Sequence, residues 1–388
     1  MQLPVWLTLL TAASAAPLIK AKRGDAIAGK YIVKLKGDMS IQSTDDIKAS
    51  VEATPDHEYT MSGFRGWAGS LSAAEVAQLQ ALDDVEWIEE DAVVHTQAVV
   101  TQFNATWGLT RISHREKGAS SYLYDSSAGE GTCSYIIDTG IFVDHPDFQG
   151  RAEFLKDFSG EDSLVDGQGH GTHVAGTIGS ATWGVAKKTK LFGVKVLDSA
   201  GSGTNSGVLA GINFVQQDAA ARQAECPKGI VSNMSLGGNK AQAINDAAAA
   251  LVASGVFLAV AAGNAGASAS TFSPASEPSV CTVGATDVFD AFAYFSNFGP
   301  LVDVNAPGVN ITSTWNDGGV RTISGTSMAS PHIAGLGAYL LGLGGDASGL
   351  CERIVELSTQ GKISGLKSGT VDRLAFNGVA ETRRARRF

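Results

Sequence analysis

Residues 241–264 read Ala-Gln-Ala-Ile-Asn-Asp-Ala-Ala-Ala-Ala-Leu-Val-Ala-Ser-Gly-Val-Phe-Leu-Ala-Val-Ala-Ala-Gly-Asn. Residues 241–254 are helix-like, and Gly255 stands at the position just past the helix end that favours a left-handed backbone. Val256–Ala262 follows as a continuous apolar run, of the length that suits a parallel strand covered on both faces. The same alternation extends outward, with apolar runs at Tyr135–Ile137, Leu191–Leu197, Ile230–Leu236 and Val280–Val283 and a helical stretch at 205–223. From about residue 107 onward this pattern predicts an α/β fold built on a doubly wound, mostly parallel sheet. Ligands of such sheets bind beyond the carboxyl ends of the strands. The polar residues at those ends are therefore where chemistry is sought.

Glycine accounts for 46 of the 388 residues, 44% are hydrophobic and 18% are charged. Against backgrounds of roughly 7% glycine and 25% charge, this describes a tightly packed, turn-rich globule with little to solvate a disordered chain. No Gly-X-Y period is present, so a collagen is excluded. The net charge of −10 and pI near 5.2 argue against a nucleic-acid partner, because nothing would neutralise phosphates. Residues 1–97 hold 8 Lys/Arg and 14 Asp/Glu, whereas the remaining three quarters hold 21 and 25. The more acidic first quarter reads as a separate piece.

That piece has its own pattern. Tyr31–Leu35 alternates like a strand, and Ser43 with Asp46 opens a short helical pattern stopped by Pro55. Ser72 and Glu75 form a capping box ahead of Val76, Leu79 and Leu82, and Val85–Ile88 closes as a strand. A small βαββαβ unit over about 28–93 is expected, with a core too small to be very stable alone. Ahead of it, Leu3–Leu10 is an apolar run followed by the small-residue site Ala13-Ser14-Ala15, which marks 1–15 as a secretory signal peptide. No stretch approaches the roughly 18 apolar residues of a membrane span. Secretion fits four cysteines, Cys133, Cys226, Cys281 and Cys351, none in a C-x-x-C pair. Two disulfides are the default, and three connectivities are open. Sequons occur at Asn104, Asn233 and Asn310; Asn233 lies in an apolar run, leaving Asn104 and Asn310 as glycan sites.

Three blocks carry candidate chemistry. Asp138 ends a strand in Ile-Ile-Asp138-Thr-Gly; His170 lies in Gly-Gln-Gly-His170-Gly-Thr-His173; Ser327 lies in Ser-Gly-Thr-Ser327-Met-Ala-Ser-Pro331. Pro331 belongs in a first helical turn, which pins a helix start near Ser327. Taken singly, these are a turn-former, a structural histidine and an N-cap. Taken together they supply a nucleophile, a base to take its proton, and a carboxylate to hold the base in the right tautomer. The helix N-terminus offers a backbone N–H to a developing oxyanion. Asn264, at the end of another strand, offers a second, side-chain donor.

The order Asp138, His170, Ser327 and these three blocks resemble the subtilisin superfamily of serine proteases, and within it the secreted fungal, proteinase K-like branch. Trp183–Lys188, Leu191–Leu197, Pro227–Gly229 and Ser273–Cys281 carry the closer likeness. Residues 28–93, with Ile-Glu-Glu-Asp-Ala-Val at 88–93, resemble the inhibitory propeptide of that family. The resemblance implies a propeptide at 16–97 and a peptidase domain at 98–388, with a foreign arginine-rich tail from about 378. It pairs Cys133 with Cys226 and Cys281 with Cys351. It assigns Gly201-Ser202-Gly203 and Ser235-Leu236-Gly237-Gly238 as edges that bind substrate as an extra strand. Ala262 and Gly263 would line the pocket for the residue before the cut, favouring apolar or aromatic side chains. It also implies a structural calcium on Pro278, Val280 and Asp303, with no cofactor in catalysis.

There are departures. Val174 replaces a cysteine, Asn205 replaces a rim aromatic, and Arg115 stands where a second calcium would need an oxygen. The resulting expectation is a secreted, monomeric serine endopeptidase acting on protein and peptide substrates. It would be made as a self-processing zymogen inhibited by its own propeptide, with no nucleic-acid or membrane partner. Competing classes fail on specific residues. An acid-acting relative would lack His170 and carry Asp in place of Asn264. An α/β-hydrolase wants G-x-S-x-G, and His57-Glu58 lacks the second histidine of a zinc protease, having Met61 instead. A catalytically dead binding protein would have lost one of the three groups.

Overall fold

The computed structural model describes residues 15–21, 26–37, 40–52, 54–94 and 98–379. Residues 1–14 of the expected signal peptide, the expected boundary at Gln97 and the residues from 380 lie outside the described residues. The chain divides into two compact units, Met1–His95 and Thr96–Phe388.

The first unit runs β1 (Ala26–Leu35), α1 (Ile41–Ser50), β2 (Pro55–Met61), β3 (Phe64–Ser70), α2 (Ala73–Gln80) and β4 (Val85–Ala92). This is the βαββαβ order expected from the sequence, preceded by a two-residue strand, Leu18–Ile19, that pairs parallel with β4. β1 is central, antiparallel to both β3 and β4, and β2 pairs with the outer side of β3. Val33, Leu35, Trp67 and Ile88 from the sheet bury themselves against Val76 and Leu79 of α2 and Ile47 of α1. The capping box at α2 forms reciprocally: Ser72 Oγ accepts from the Glu75 amide at 3.3 Å and Glu75 Oε2 accepts from the Ser72 amide at 2.6 Å. α1 starts earlier than its sequence spacing predicts. Ser40, in extended backbone, is the cap, and its Oγ accepts from the Ser43 amide at 3.1 Å. Pro55 opens β2 rather than stopping the helix.

In the second unit, after a short helix (Trp107–Ser113) between the strands Val99–Phe103 and Ser121–Asp125, come β5 (Thr132–Asp138), β6 (Ala152–Asp157), α3 (His170–Gly179), β7 (Lys190–Lys195) and α4 (Asn205–Ala221). β8 (Gly229–Met234), α5 (Gln242–Ala253), β9 (Phe257–Ala261), β10 (Cys281–Thr286), β11 (Val304–Pro307), α6 (Thr326–Gly342) and α7 (Leu350–Leu357) follow. The sheet order is β6-β7-β5-β8-β9-β10-β11, all parallel, extended by Arg373–Leu374 and an antiparallel Thr359–Gln360. Alternate residues of each central strand face opposite layers. Ile136, Val231 and Ala259 pack with Ile178 of α3 and Ile333 and Leu336 of α6. Tyr135, Ile137, Leu258 and Val260 pack with Ile212 and Val215 of α4 and Ala248 and Leu251 of α5. Two covered faces are why these strands read as unbroken apolar runs. Gly255 takes φ +90° just past α5, the left-handed turn its position predicts.

Two main-sheet strands escape the sequence reading for a physical reason. β6 (Ala-Glu-Phe-Leu-Lys-Asp) is an edge strand with only partial burial, and β11 (Val-Asn-Ala-Pro) is four residues long. The hairpins Val99–Phe103/Ser121–Asp125 and Ile311–Thr314/Val320–Ile323 are likewise mixed in polarity. Disulfides join Cys133 to Cys226 and Cys281 to Cys351, the pairing the resemblance implies. After β5 the chain builds β6 and β7 on one side, then crosses to β8 on the other. The crevice of this winding reversal opens at the carboxyl ends of β5, β7 and β8.

Candidate active site

A cleft of about 510 Å³ occupies that crevice. Its walls are the residues that follow the three strands: Thr139 and His170, Gly201–Gly203, and Ser235–Gly238. Leu197, Asn205, Val208 and Ile244 line it further out. The two segments expected to pair with an extended substrate thus face one space. Ala262 and Gly263 lie outside this cleft, at the end of β9, where the Gly263 amide donates to Thr326 Oγ1 at 3.1 Å.

Asp138 is the last residue of β5 and has no solvent exposure. Its Oδ1 accepts from the Thr139 amide at 2.8 Å and from His170 Nδ1 at 2.7 Å. Facing a carboxylate, Nδ1 must carry the proton, which leaves Nε2 as the basic nitrogen. His170 begins α3 with its side chain 22% exposed. The flanking glycines are dictated by close approach. Gly169 takes φ +100°, and a Cβ there would sit 2.4 Å from the Trp315 ring; a Cβ on Gly171 would sit 2.1 Å from the Gly140 carbonyl oxygen.

Charge separates the buried histidines. Burial alone lowers each, and it holds His173 and His332 at about 4, uncharged at neutral pH. Burial also works on His170, but the Asp138 carboxylate, by its charge and its hydrogen bond, outweighs it, with Asp166 adding to the same side; the net shift is upward. Among these three, His170 is the one made ready to take a proton. His173 instead ties α3 to the 311–323 hairpin, its Nε2 lying 3.0 Å from the Ile311 carbonyl and 3.1 Å from that of Arg321.

Ser327 is the second residue of α6, whose N-cap is Gly325. A residue so early in a helix has no i−4 carbonyl within the helix, so its amide points free toward the site. The Ser327 hydroxyl donates to the Ser235 carbonyl at 3.1 Å, and among the described residues no hydrogen bond joins it to His170. Such contacts commonly tighten only once substrate is bound. Ser235 is clamped in return, its Oγ donating to the Ser327 carbonyl at 2.8 Å and accepting from Asn233 Nδ2 at 2.9 Å. Asn264 is oriented by a residue the sequence reading passed over. Thr326 donates to Asn264 Oδ1 from both its amide (2.8 Å) and its hydroxyl (2.9 Å), so the amide NH₂ is the end left for a ligand. Thr326 was visible in Gly-Thr-Ser327, but only folding brings it to Asn264.

Elsewhere, Asp303 Oδ2 accepts from the Thr282 amide at 2.8 Å, and burial pushes this carboxyl up to about 6. It sits near the sulfurs of Cys281 and Cys351, which are disulfide-bonded and so are not thiolate ligands. Arg115 stacks its guanidinium 4.2 Å above the Phe376 ring. Val174 is a fully buried residue of α3, and all four cysteines are in disulfides. Asn104 and Asn310 are exposed, whereas Asn233 is buried and bonded on both ends of its amide. No helix among the described residues is long and apolar enough to cross a membrane.

The family model for the subtilase family matches residues 129–349, and that for peptidase inhibitor I9 matches residues 30–97. A cuticle-degrading protease of Metarhizium anisopliae is 51% identical, over 98% of this chain and all of that protein. Proteinase R of Parengyodontium album is 52% identical over 93% of this chain and 92% of its own. A solved structure, that of a cold adapted subtilisin-like serine proteinase, superposes with a TM-score of 0.66 at 42% identity, covering 71% of this chain and 98% of that one. The order of the three blocks, the parallel sheet and the cleft at its winding reversal agree with these matches: the chain belongs to the subtilase family of serine proteases and carries an inhibitor I9 segment ahead of its peptidase domain.

Proposed function

We propose that Ser327 is the nucleophile of a secreted serine endopeptidase, His170 its base and then acid, and Asp138 the group that fixes the His170 tautomer. The observation that carries this is the 2.7 Å bond from His170 Nδ1 to a fully buried Asp138, with His170 lining the same cleft as Ser235, whose carbonyl accepts from the Ser327 hydroxyl. Peptide lies along Gly201–Gly203 and Ser235–Gly238 as an added strand. Ser327 Oγ attacks the carbonyl carbon while His170 Nε2 takes its proton. The negative charge that develops on the carbonyl oxygen is met by the Ser327 amide and Asn264 Nδ2, donors already oriented before reaction. His170 then returns the proton to the leaving amine, and water repeats the sequence on the acyl-enzyme. No cofactor takes part in this proposed sequence.

Ala262 and Gly263 bring no charge to the pocket for the residue before the cut. Cleavage is thus expected after apolar and aromatic residues, with little after Lys or Arg. A peptide-library cleavage profile reads this directly, and a dominant preference for basic residues would overturn it. In this reading the chain is secreted after removal of 1–15, separates into a propeptide (16–97) and a peptidase (98–388), and acts as a monomer.

Calcium belongs to the same reading. Asp303 is a partly buried carboxylate with an anionic form that its surroundings penalise, and a hard cation held by its oxygen and the Pro278 and Val280 carbonyls would relieve that cost. Arg115 supports a single site of this kind, since a cation stands where a second would need oxygen. The ion would stabilise the fold without touching the reaction. EDTA should therefore lower Tm by several degrees, restored by calcium, while the initial rate at low temperature holds. An unchanged Tm would remove calcium from the account.

A further inference from the structure

Outside the catalytic groups, the most heavily bonded buried carboxylate beside the site is Asp166, which is 1% exposed. It lies in the loop before α3, and its two oxygens face two different elements. Oδ1 accepts from Thr139 Oγ1 at 2.8 Å and from the Gly169 and Gln168 amides at 2.8 and 3.1 Å. Oδ2 accepts from the Thr172 amide at 2.9 Å and from Thr172 Oγ1 at 2.5 Å. Thr139 follows Asp138 directly, and its Oγ1 also accepts from the Gly171 amide at 2.8 Å. Thr172 Oγ1 in turn accepts from the Phe142 amide at 2.9 Å. One carboxylate thus bolts the end of the Asp138 strand to the first turn of the His170 helix, on both sides of the His170–Asp138 bond. A negative charge at a helix N-terminus is also favoured by the helix dipole.

We propose that Asp166 is a positioning residue for catalysis, one that sets the His170 ring against Asp138 and helps hold a proton on it as the imidazolium forms. This rests on His170 being the base. A loop staple would need hydrogen bonds only. Here the acceptor is a carboxylate, and burying its charge is costly unless its bonds and field are used. The other charged or titratable groups around His170 are accounted for. Asp138 is its direct partner, and His173 and His332 are held neutral. The Lys195 ammonium is tied to the Thr139 and Leu197 carbonyls and to Glu161, and the Arg321 guanidinium lies over Trp315. None of these groups bonds to the Asp166 carboxylate.

The test is the pH profile of kcat/KM for Asp166→Asn and Asp166→Glu beside wild type, with active enzyme counted by fluorophosphonate labelling. Asn keeps the shape and removes the charge. It should lower kcat about 10- to 100-fold, with KM within about twofold. It should also move the acid limb down by about half a pH unit, since losing a nearby negative charge makes His170 easier to deprotonate. An acid limb at the wild-type pH in Asp166→Asn, at whatever kcat, overturns the proposal. Should that variant fail to accumulate, Asp166→Glu decides. It keeps the charge but displaces it by a methylene, so the limb stays in place while kcat falls several-fold; wild-type kcat there overturns the proposal. Wild type that takes no label at Ser327 instead sinks the assignment of the catalytic groups themselves, a result separable from either.

Discussion

Precursor carrying Ser327→Ala, expressed in a host without secreted proteases, should emerge as an uncleaved, folded chain with kcat down about 10⁶-fold, the loss that removing the nucleophile causes in subtilisin. The residual rate comes from the oxyanion donors and from binding, which the substitution leaves intact. Folding should survive, because Ser327 contributes one hydroxyl bond, to the Ser235 carbonyl, and its own carbonyl still accepts from Ser235 Oγ. Wild type should release a mature form beginning near Ala98 and a segment that inhibits it. Intact mass of that form would also show whether Asn104 and Asn310 carry glycans. A covalent fluorophosphonate should label Ser327 in wild type and nothing in the variant. Cleavage of the variant after Gln97 as efficient as in wild type would refute self-processing. Activity surviving in it would refute the nucleophile.

Asp138→Asn is expected to cost roughly 10⁴ in kcat with little change in KM. The reason is the tautomer. Asp138 Oδ1 accepts from both the Thr139 amide and His170 Nδ1. An asparagine placed there keeps its oxygen on the Thr139 amide and can present its NH₂ to the ring. Nδ1 must then accept, which forces the proton onto Nε2, the nitrogen that has to take the Ser327 proton. Most of the upward pull on His170 also disappears with the charge, leaving burial, which lowers it, opposed only by Asp166. The acid limb of kcat/KM, expected in wild type above the ordinary histidine value of about 6.5 because the Asp138 carboxylate raises His170, should fall. With the base neutral over a wider range yet wrongly tautomerised, acidic pH would not rescue the rate. A loss under tenfold would mean that Asp138 only fills space.

The two substitutions probe groups that were legible in the sequence to different depths. Asp138, His170, Ser327 and Asn264 each stand at the end of an apolar run or the start of a helix, and short blocks of small residues surround them. Close approach by groups distant in the chain forces the glycines of the His170 block. Gly169 and Gly171 exist because a ring and a carbonyl come within 2.4 and 2.1 Å of where a side chain would begin. The central strands were legible because both faces are covered, so their residues are mostly apolar, with a few buried polar groups such as Ser134, Ser232 and Asn233. β6 was not, because an edge strand is too little buried to impose a pattern; β11 was not because, although buried throughout, it is four residues long and Asn305 and Pro307 interrupt its apolar residues. The start of α1 was misplaced because Ser40 and Ser43 offer the same capping chemistry, and only the backbone around Ser40 lets it act.

What the sequence by itself determined is the strand–helix alternation, the class of chemistry and the identity of its groups, all of which are written in spacings of fewer than ten residues. Tertiary structure alone decided the orientation of those groups. Thr326 turns the Asn264 amide from 62 residues away, and Ser235 and Ser327 clamp each other across 92. Asp166 reaches Thr139 across 27 residues and Thr172 across six. A hydrogen bond has direction and a reach of about 3 Å. Partners separated that far along the chain leave no local periodicity, and they meet only because parallel strands bring their carboxyl ends to one edge of the sheet.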